Sequence, residues 1–118
     1  MSSGRLFGCP VELALNQIGG KWKTILIARL KQGPLRYSEL RRMVPGLADK
    51  VLTERLRELE GAGFVKRIPA PARSATRYAL TERGLSLSPV LEALYVWGQR
   101  AAVETGVRFR SLPRSTPS

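Results

Sequence analysis

The stretch SELRRMVPGLADKVLTERLRELEGAG, residues 38–63, carries two helical patterns separated by one tight turn. Ser38 stands as the N-cap of a short helix over residues 39–43, and Pro45-Gly46 supplies the turn. Residues 49–62 form the second helical pattern, whose apolar positions make one narrow stripe. These positions are Val51, Leu52, Leu56 and Leu59. The pair predicts a helix-turn-helix, in which the second helix is the recognition helix.

The polar face of residues 49–62 allows two interpretations. In a recognition helix it would enter the major groove of DNA, with Lys50, Thr53, Glu54 and Arg57 toward the nucleic acid. In an ordinary surface helix, Lys50 would pair with Glu54 at i,i+4 and Glu54 with Arg57 at i,i+3. Taken alone, this helix favours the second interpretation.

A basic hairpin is predicted directly after the two helices. Val65–Ile68 and residues 76–80 favour strands, and the segment between Gly61 and Thr81 contains no acidic residue. Its cations are Lys66, Arg67, Arg73 and Arg77. Prolines in the loop limit its freedom, so Arg73 is presented at a small entropic cost. The hairpin is interpreted as the wing of a winged helix, with Arg73 on phosphate or in the minor groove. The alternative is a charged tip that protects a sheet edge.

Helical patterns flank this unit on both sides. The first begins at Pro10 and ends at Gly19-Gly20, and the second runs from Trp22 to Lys31, before a brief extended piece at Leu35-Arg36. Thr81 caps a last, strongly apolar segment that Pro89 should kink or divide. So much apolar surface predicts a homodimer. The residues expected at its interface are Val11, Ala14, Leu15, Val90, Leu91, Leu94 and Trp97.

Composition narrows the function. The 118 residues carry a formal net charge of +11, which indicates a polyanionic partner such as nucleic acid or an anionic membrane. The chain has no histidine and a single cysteine, so neither a histidine-based active site nor a cysteine-rich zinc site is expected, and no cofactor is predicted. We expect one domain over residues 9–106, a flexible arm over 1–8 and a disordered basic tail over 107–118. Without an apolar stretch long enough for a membrane or a signal peptide, we expect a cytoplasmic protein.

Several motifs in order resemble the HxlR-type winged helix-turn-helix transcriptional regulators of bacteria and archaea. The resemblance covers residues 9–98. Its motifs are CPV at 9–11, GGKW at 19–22, RYSEL at 36–40, PG at 45–46, VLT at 51–53, LR with LE at 56–60, Tyr78 and LTE at 80–82. It implies a mainly α fold with a small β-hairpin, a dimer built by the terminal helices, and a recognition helix over residues 49–62 in the major groove.

Two positions depart from this family pattern. Members often carry serine where this chain has Ala48, so we expect Asp49 to take over the capping or phosphate-proximal role. Members also often carry an acidic residue where this chain has Arg77, which makes the wing more basic. The complete set of residues predicted to contact DNA is Ser38, Arg41, Arg42, Asp49, Lys50, Thr53, Glu54, Arg57, Arg73 and Arg77.

Individual roles follow from side-chain chemistry. Thr53 is expected to meet either a thymine methyl or a phosphate, and Arg57 a phosphate. Glu54 would accept from cytosine or pair with Lys50, and pairing is preferred. Ser38 with Arg41 or Arg42 would clamp the backbone.

Cys9, just before the first helix, has two interpretations. The helix dipole and nearby Arg5 would favour the thiolate, which makes Cys9 a candidate redox sensor. The alternative, which is preferred, is a small buried residue near the dimer interface. The family resemblance adds that some members respond to thiol-reactive signals.

The leading hypothesis is a homodimeric, sequence-specific regulator that binds pseudo-palindromic double-stranded DNA and answers to an unidentified small molecule or oxidant. A winged-helix adaptor that binds protein, and a non-specific nucleic-acid-binding protein, are the alternatives. An RNA-binding domain is disfavoured because the aromatic residues are scattered and form no stacking platform.

Overall fold

Six helices and a small sheet make up the part of the chain that the computed structural model describes, residues 6–70 and 76–109. In chain order they are α1 (Pro10–Ile18), α2 (Lys21–Leu30), β1 (Leu35–Arg36), α3 (Tyr37–Met43), α4 (Asp49–Gly61), β2 (Val65–Ile68), β3 (Arg77–Leu80), α5 (Glu82–Leu85) and α6 (Ser88–Thr105). The fold is a winged helix-turn-helix: α3 and α4 form the helix-turn-helix, and the β2–β3 hairpin is the wing. No helix within the described ranges is long and apolar enough to cross a bilayer.

The core forms around α2 and α4. Leu26 and Ile27 of α2 are fully buried, as are Leu52 and Leu59 of α4. The remaining core residues come from all helices but α5, from β2 and β3, and from the connections before and after α4; they are Ile18, Leu30, Leu40, Val44, Leu47, Leu56, Phe64, Val65, Leu80 and Leu91. Among the described residues no polar or charged side chain is buried. The predicted apolar stripe of α4 is therefore confirmed, apart from Val51 at its half-buried margin.

The sheet has three antiparallel strands in the order β1-β3-β2. The predicted strand at Val65–Ile68 is confirmed, and its partner begins at Arg77, one residue later than predicted. The brief extended piece at Leu35-Arg36 becomes the third strand, because Leu35 pairs with Tyr78 and Arg36 with Arg77. The wing is thus tied directly to the segment that leads into α3.

Two predicted helix ends differ from the structure. Ser38 is not an N-cap: α3 begins at Tyr37, because β1 runs straight into it and the Arg36 N–H donates to Glu39 Oε1 at 2.8 Å. The recognition helix α4 ends at Gly61, one residue early, and Gly63 then adopts a positive φ of 87° that turns the chain toward β2.

The apolar segment after the wing is divided as predicted. Thr81 caps α5, since the Gly84 N–H donates to Thr81 Oγ1 at 3.0 Å, and Thr81 Oγ1 donates to the Gly63 carbonyl at 2.6 Å. Pro89 then lies in the first turn of α6, where its missing N–H costs nothing. Beyond Gly106, residues 107–109 adopt neither helix nor strand, while 1–5 and 110–118 of the predicted arm and tail lie outside the described residues.

Two backbone segments meet at Gly84 with no room for a side chain. Gly84 is buried, and a Cβ built on it would collide with the Phe64 carbonyl oxygen and approach Leu80 Cδ2 to 3.1 Å. The carbonyl cannot give way easily, because it accepts the Thr81 N–H at 3.0 Å. This contact fixes α5, and with it the start of α6, against the base of the wing.

Replacing Gly84 with alanine should therefore destabilise the protein by about 1–3 kcal/mol through overpacking. The matched control is Gly61→Ala, at an exposed helical position with no atom within 4 Å of the added Cβ. This control should be neutral or stabilise by up to about 1 kcal/mol. Urea unfolding of both variants measures the two free energies, and equal stabilities would contradict the close approach at Gly84.

Candidate DNA interface

One stripe of charged side chains lies on the outer face of α4. Lys50, Glu54 and Arg57 follow one another at spacings of four and three residues, opposite the buried leucines. Lys50 and Arg57 are exposed and Glu54 is half-buried. Thr53 lies at the edge of this stripe, with Lys50 three residues before it and Arg57 four residues after it.

One group of ion pairs of α4 forms on its side toward α2. Glu58 Oε2 accepts from Arg55 Nη1 at 2.6 Å, and Glu58 Oε1 lies 3.6 Å from Lys23 Nζ. The hydrogen bond from Arg55 and the positive charges of Arg55 and Lys23 lower the pKa of Glu58, although desolvation opposes them. These contacts help to join the recognition helix to α2.

The ion pairs expected for an ordinary surface helix are absent. In residues 6–70 and 76–109, neither Lys50 with Glu54 nor Glu54 with Arg57 forms an ion pair, so the preferred pairing of Glu54 was wrong. Glu58, which lies beside both Arg55 and Lys23, is the acidic residue of α4 that binds cations from two helices. The two cations of the outer stripe are consequently left available to an external anion.

A cluster of polar groups joins α3 to the first turn of α4. The Tyr37 hydroxyl lies 2.7 Å from Asp49 Oδ1, 3.2 Å from the Asp49 carbonyl oxygen and 3.3 Å from Thr53 Oγ1. Arg41 Nε lies 2.5 Å from the same Asp49 Oδ1. We call these four residues the Tyr37 cluster. The N-cap of α4 is Ala48 and no side chain caps it, so Asp49 does not cap the helix but holds α3.

The phenol of Tyr37 stays protonated at neutral pH. The hydrogen bond with Thr53 acts to lower the pKa of Tyr37, but desolvation, the hydrogen bond to Asp49 and the negative charge of Asp49 together raise it above its ordinary value. Stability from this raised pKa is present below the ordinary tyrosine pKa and is lost as pH rises through the value in the folded protein.

A second basic surface lies where the wing meets α3. Arg36 and Arg77 are directly opposite each other on β1 and β3, and both are exposed. Like charges in this position repel each other unless an anion is present. Glu39 supplies part of the negative charge that offsets this repulsion, with its Oε2 at 3.5 Å from Arg36 Nη2. The Arg36 backbone N–H and the charges of Arg36 and Arg77 lower the pKa of Glu39.

Arg36 was not among the residues predicted to contact DNA. A two-residue strand has no periodicity, so the sequence did not show that Arg36 faces Arg77. The run RYSEL alone contained the signal, because a cation directly before a helix start must lie near that helix. The structure thus extends the predicted basic wing toward α3.

The structure describes all but one of the other residues predicted to contact DNA. Ser38, Arg42 and Arg77 are exposed and free of ion pairs within the described ranges, whereas Arg41 is paired with Asp49. Arg73 lies outside the described residues. The exposed cations without a carboxylate partner that surround α3, α4 and the wing are Arg42, Lys50, Arg57, Lys66 and Arg77. Such a surface is suited to the phosphates of a nucleic acid.

Apolar side chains occupy a different surface. Val11 and Leu15 of α1 are 64% and 61% exposed, and Leu94 and Trp97 of α6 are 54% and 68% exposed. Ala14 and Val90 are exposed as well, but Leu91 is buried in the core, so its side chain already has its packing partners. Cys9 is exposed directly before α1, and its carbonyl accepts the Leu13 N–H at 3.2 Å. This exposure is that of a single copy, so the preferred interpretation, a small residue buried near the dimer interface, stays a prediction.

Comparison with known proteins points to one family. The HxlR-like helix-turn-helix family matches residues 17–105. An HTH-type transcriptional regulator from Methanothermobacter thermautotrophicus is 46% identical over 92 residues, which cover 77% of this chain and 70% of the relative.

The solved structures of similar proteins include a redox regulator in two states. The reduced form of the redox regulator HypR has a TM-score of 0.75 and 39% identity, over 82% of this chain and 99% of HypR. The oxidised form has a TM-score of 0.73 and 41% identity, over 78% of this chain and 96% of HypR.

Proposed function

The chain belongs to the HxlR-like helix-turn-helix family of transcriptional regulators, and on that premise we propose that it binds specific double-stranded DNA sites as a homodimer. The observation that carries this proposal is the outer stripe of α4, whose cations Lys50 and Arg57 have no carboxylate partner within the described residues. An ordinary surface helix would use its own acidic residues to neutralise such cations.

The roles of the surface residues follow from their positions. Lys50 and Arg57 neutralise phosphates on either side of the major groove, while Thr53 and Glu54 lie between them and approach base edges. Ser38 and Arg42 contact the backbone that α3 crosses. Arg77 and Arg36 extend the phosphate contacts along the wing, and Arg73, outside the described residues, stays a contact predicted from the sequence. In two copies related by a dyad, two such surfaces reach half-sites about one helical turn apart.

Two apolar stripes support the homodimer. On α6, Val90, Leu94, Trp97 and Ala101 follow spacings of four, three and four residues, which is the seam pattern of a coiled coil. On α1, Val11 and Leu15 lie one turn apart and are both exposed. A monomer rarely leaves so many large apolar side chains in water. A second copy of the same surface buries them.

Cys9 gives the proposed regulator a chemical input. Its thiol is exposed directly before α1, so an oxidant can reach it, and α1 belongs to the proposed interface. Two Cys9 thiols, one from each copy, form a disulfide by losing two protons and two electrons to the oxidant. Similarity to the redox regulator HypR supports this input.

We expect saturable, competitor-resistant binding to the DNA upstream of the protein's own gene, with a strong decrease in affinity as salt rises. Arg57→Ala should reduce the slope of log affinity against log salt by about one, because one phosphate contact is lost. Arg100→Ala removes the same charge from an exposed position on α6 and should leave the slope unchanged.

Mobility shifts across a salt series, with scrambled DNA as competitor, measure both quantities. If scrambled DNA competes for the protein as well as the specific DNA does, the protein binds nucleic acid without sequence specificity. Absence of DNA binding would indicate a winged-helix adaptor for protein.

Sedimentation equilibrium tests the α6 interface. The wild-type protein should be a dimer. The single variants Leu94→Ser and Trp97→Ser should each raise the dissociation constant of the dimer by at least about tenfold, because each loses the free energy of burying a large apolar side chain. Val103→Ser is the matched control, because Val103 is 84% exposed but lies outside the stripe. A monomeric wild-type protein, or equal effects of all three substitutions, would contradict the interface.

The thiol is tested by adding diamide to the mobility-shift titration. Diamide accepts the two protons and two electrons and becomes the corresponding hydrazine, so the protein should form a reducible covalent dimer and its affinity for DNA should change. Cys9→Ser should show neither effect and should bind DNA like the reduced wild-type protein. An equal response of Cys9→Ser to diamide would remove Cys9 from the mechanism.

A further inference from the structure

The Tyr37 cluster contains more acceptors than Tyr37 has protons. A phenol has one hydrogen to donate, and three oxygens surround it at 2.7, 3.2 and 3.3 Å. The nearest is Asp49 Oδ1, which is a carboxylate oxygen, so it is both the closest and the strongest acceptor. The proton of Tyr37 therefore lies toward Asp49.

The position of that proton determines the direction of the hydroxyl of Thr53. Tyr37 Oη and Thr53 Oγ1 lie 3.3 Å apart, and one of the two must donate. Since the Tyr37 proton is used on Asp49, Thr53 donates to the Tyr37 oxygen. Arg41 lies beside the same oxygen, with Nε 2.5 Å from Asp49 Oδ1, and a guanidinium can only donate, so Asp49 Oδ1 is the acceptor for both Arg41 and Tyr37.

The methyl group of Thr53 is thereby fixed as well. The Cβ atom carries the hydroxyl and the methyl group on separate branches, and χ1 of threonine has few allowed values in a helix. With the hydroxyl held at Tyr37, the methyl branch is turned away from it. Thr53 also lies between Lys50 and Arg57 on the helix surface, and both of these exposed cations lack an ion-pair partner among the described residues.

We propose that Tyr37 is a specificity-determining residue that acts through Thr53: by accepting the hydrogen bond that the Thr53 hydroxyl donates, it makes this side chain present a methyl group and acceptor lone pairs to DNA. A phosphate oxygen needs a hydrogen-bond donor, and the Thr53 hydroxyl has already donated its hydrogen to Tyr37. The C5 methyl group of thymine, in the major groove, is the partner that the arrangement fits. This inference rests on the proposed function, and it resolves the choice between phosphate and thymine for Thr53.

The test uses DNA selected by the protein itself. Wild-type protein is used to recover duplexes from a randomised pool, and each thymine of the recovered site is replaced in turn by deoxyuridine, which lacks only the C5 methyl group. One thymine in each half-site should be sensitive: its replacement should weaken wild-type binding by about fourfold, the equivalent of one buried methyl group. Thr53→Ser, which keeps the hydroxyl and loses the methyl group, should lose this sensitivity.

The role of Tyr37 is tested with Tyr37→Phe and a double variant. Tyr37→Phe removes only the hydroxyl, so the Thr53 side chain is released and the deoxyuridine sensitivity should fall toward onefold. Thr53→Val keeps a methyl group without a hydroxyl and should remain sensitive, and adding Tyr37→Phe to it should change nothing further. Thermal unfolding of each variant shows that the comparison is made between folded proteins, and a merely structural role of Tyr37 would not be cancelled by Thr53→Val.

The outcomes separate this inference from the proposed function. If wild-type protein enriches no sequence from the pool, the proposed function fails and the inference fails with it. If a sequence is enriched but no thymine is sensitive to deoxyuridine, or if Tyr37→Phe keeps the full fourfold effect, only the inference is overturned.

Discussion

The packing of one narrow leucine stripe of α4 against α2 is the constraint on which the rest of the molecule depends. Leu52, Leu56 and Leu59 are all buried against a core centred on Leu26 and Ile27. A stripe this narrow leaves most of the circumference of α4 outside the core. One side then meets α2 through Glu58, another meets α3 through Asp49, and the remaining side is left for a partner outside the protein.

Each of these three sides of α4 carries its own set of charged residues. Toward α2, Glu58 is shared by Arg55 and Lys23, so the carboxylate on this flank is used by cations of the protein itself. Toward α3, Asp49 is shared by Arg41 and the hydroxyl of Tyr37. The acidic residues at both flanks are thus used inside the protein, and the outer side keeps its cations. In a chain with a net charge of +11, cations without a carboxylate partner, among them Lys50 and Arg57, thus lie on the surface where a polyanion is expected.

The sequence predicted the parts of the fold that depend on periodicity. The stripe of α4 follows from its repeat of 3.6 residues. The strand Val65–Ile68 follows from the β-propensity of its residues. Contacts between elements were harder to predict. Ser38 is not a cap, because the two-residue strand β1 ends directly at α3. Glu54 does not pair with Lys50, although their i,i+4 spacing along one helix favoured that pair. Leu91 was expected at an interface, but α6 carries two apolar stripes, and periodicity alone does not say which one the core takes. The same limit applied to Arg36 and Tyr37, whose positions depend on pairing and side-chain geometry.

The direct passage from β1 into α3 has a mechanical consequence. Arg36 pairs with the wing through β1, and its N–H is bonded to the first turn of α3, so no loop separates the two elements. The base of the wing and the start of α3 are therefore held together without a hinge loop between them. If two copies join along α6, the angle at which the two α6 helices cross is one of the quantities that set the separation of their DNA-binding surfaces. A signal that acts on the protein far from DNA has only to rotate that crossing to bring both surfaces out of phase with the double helix.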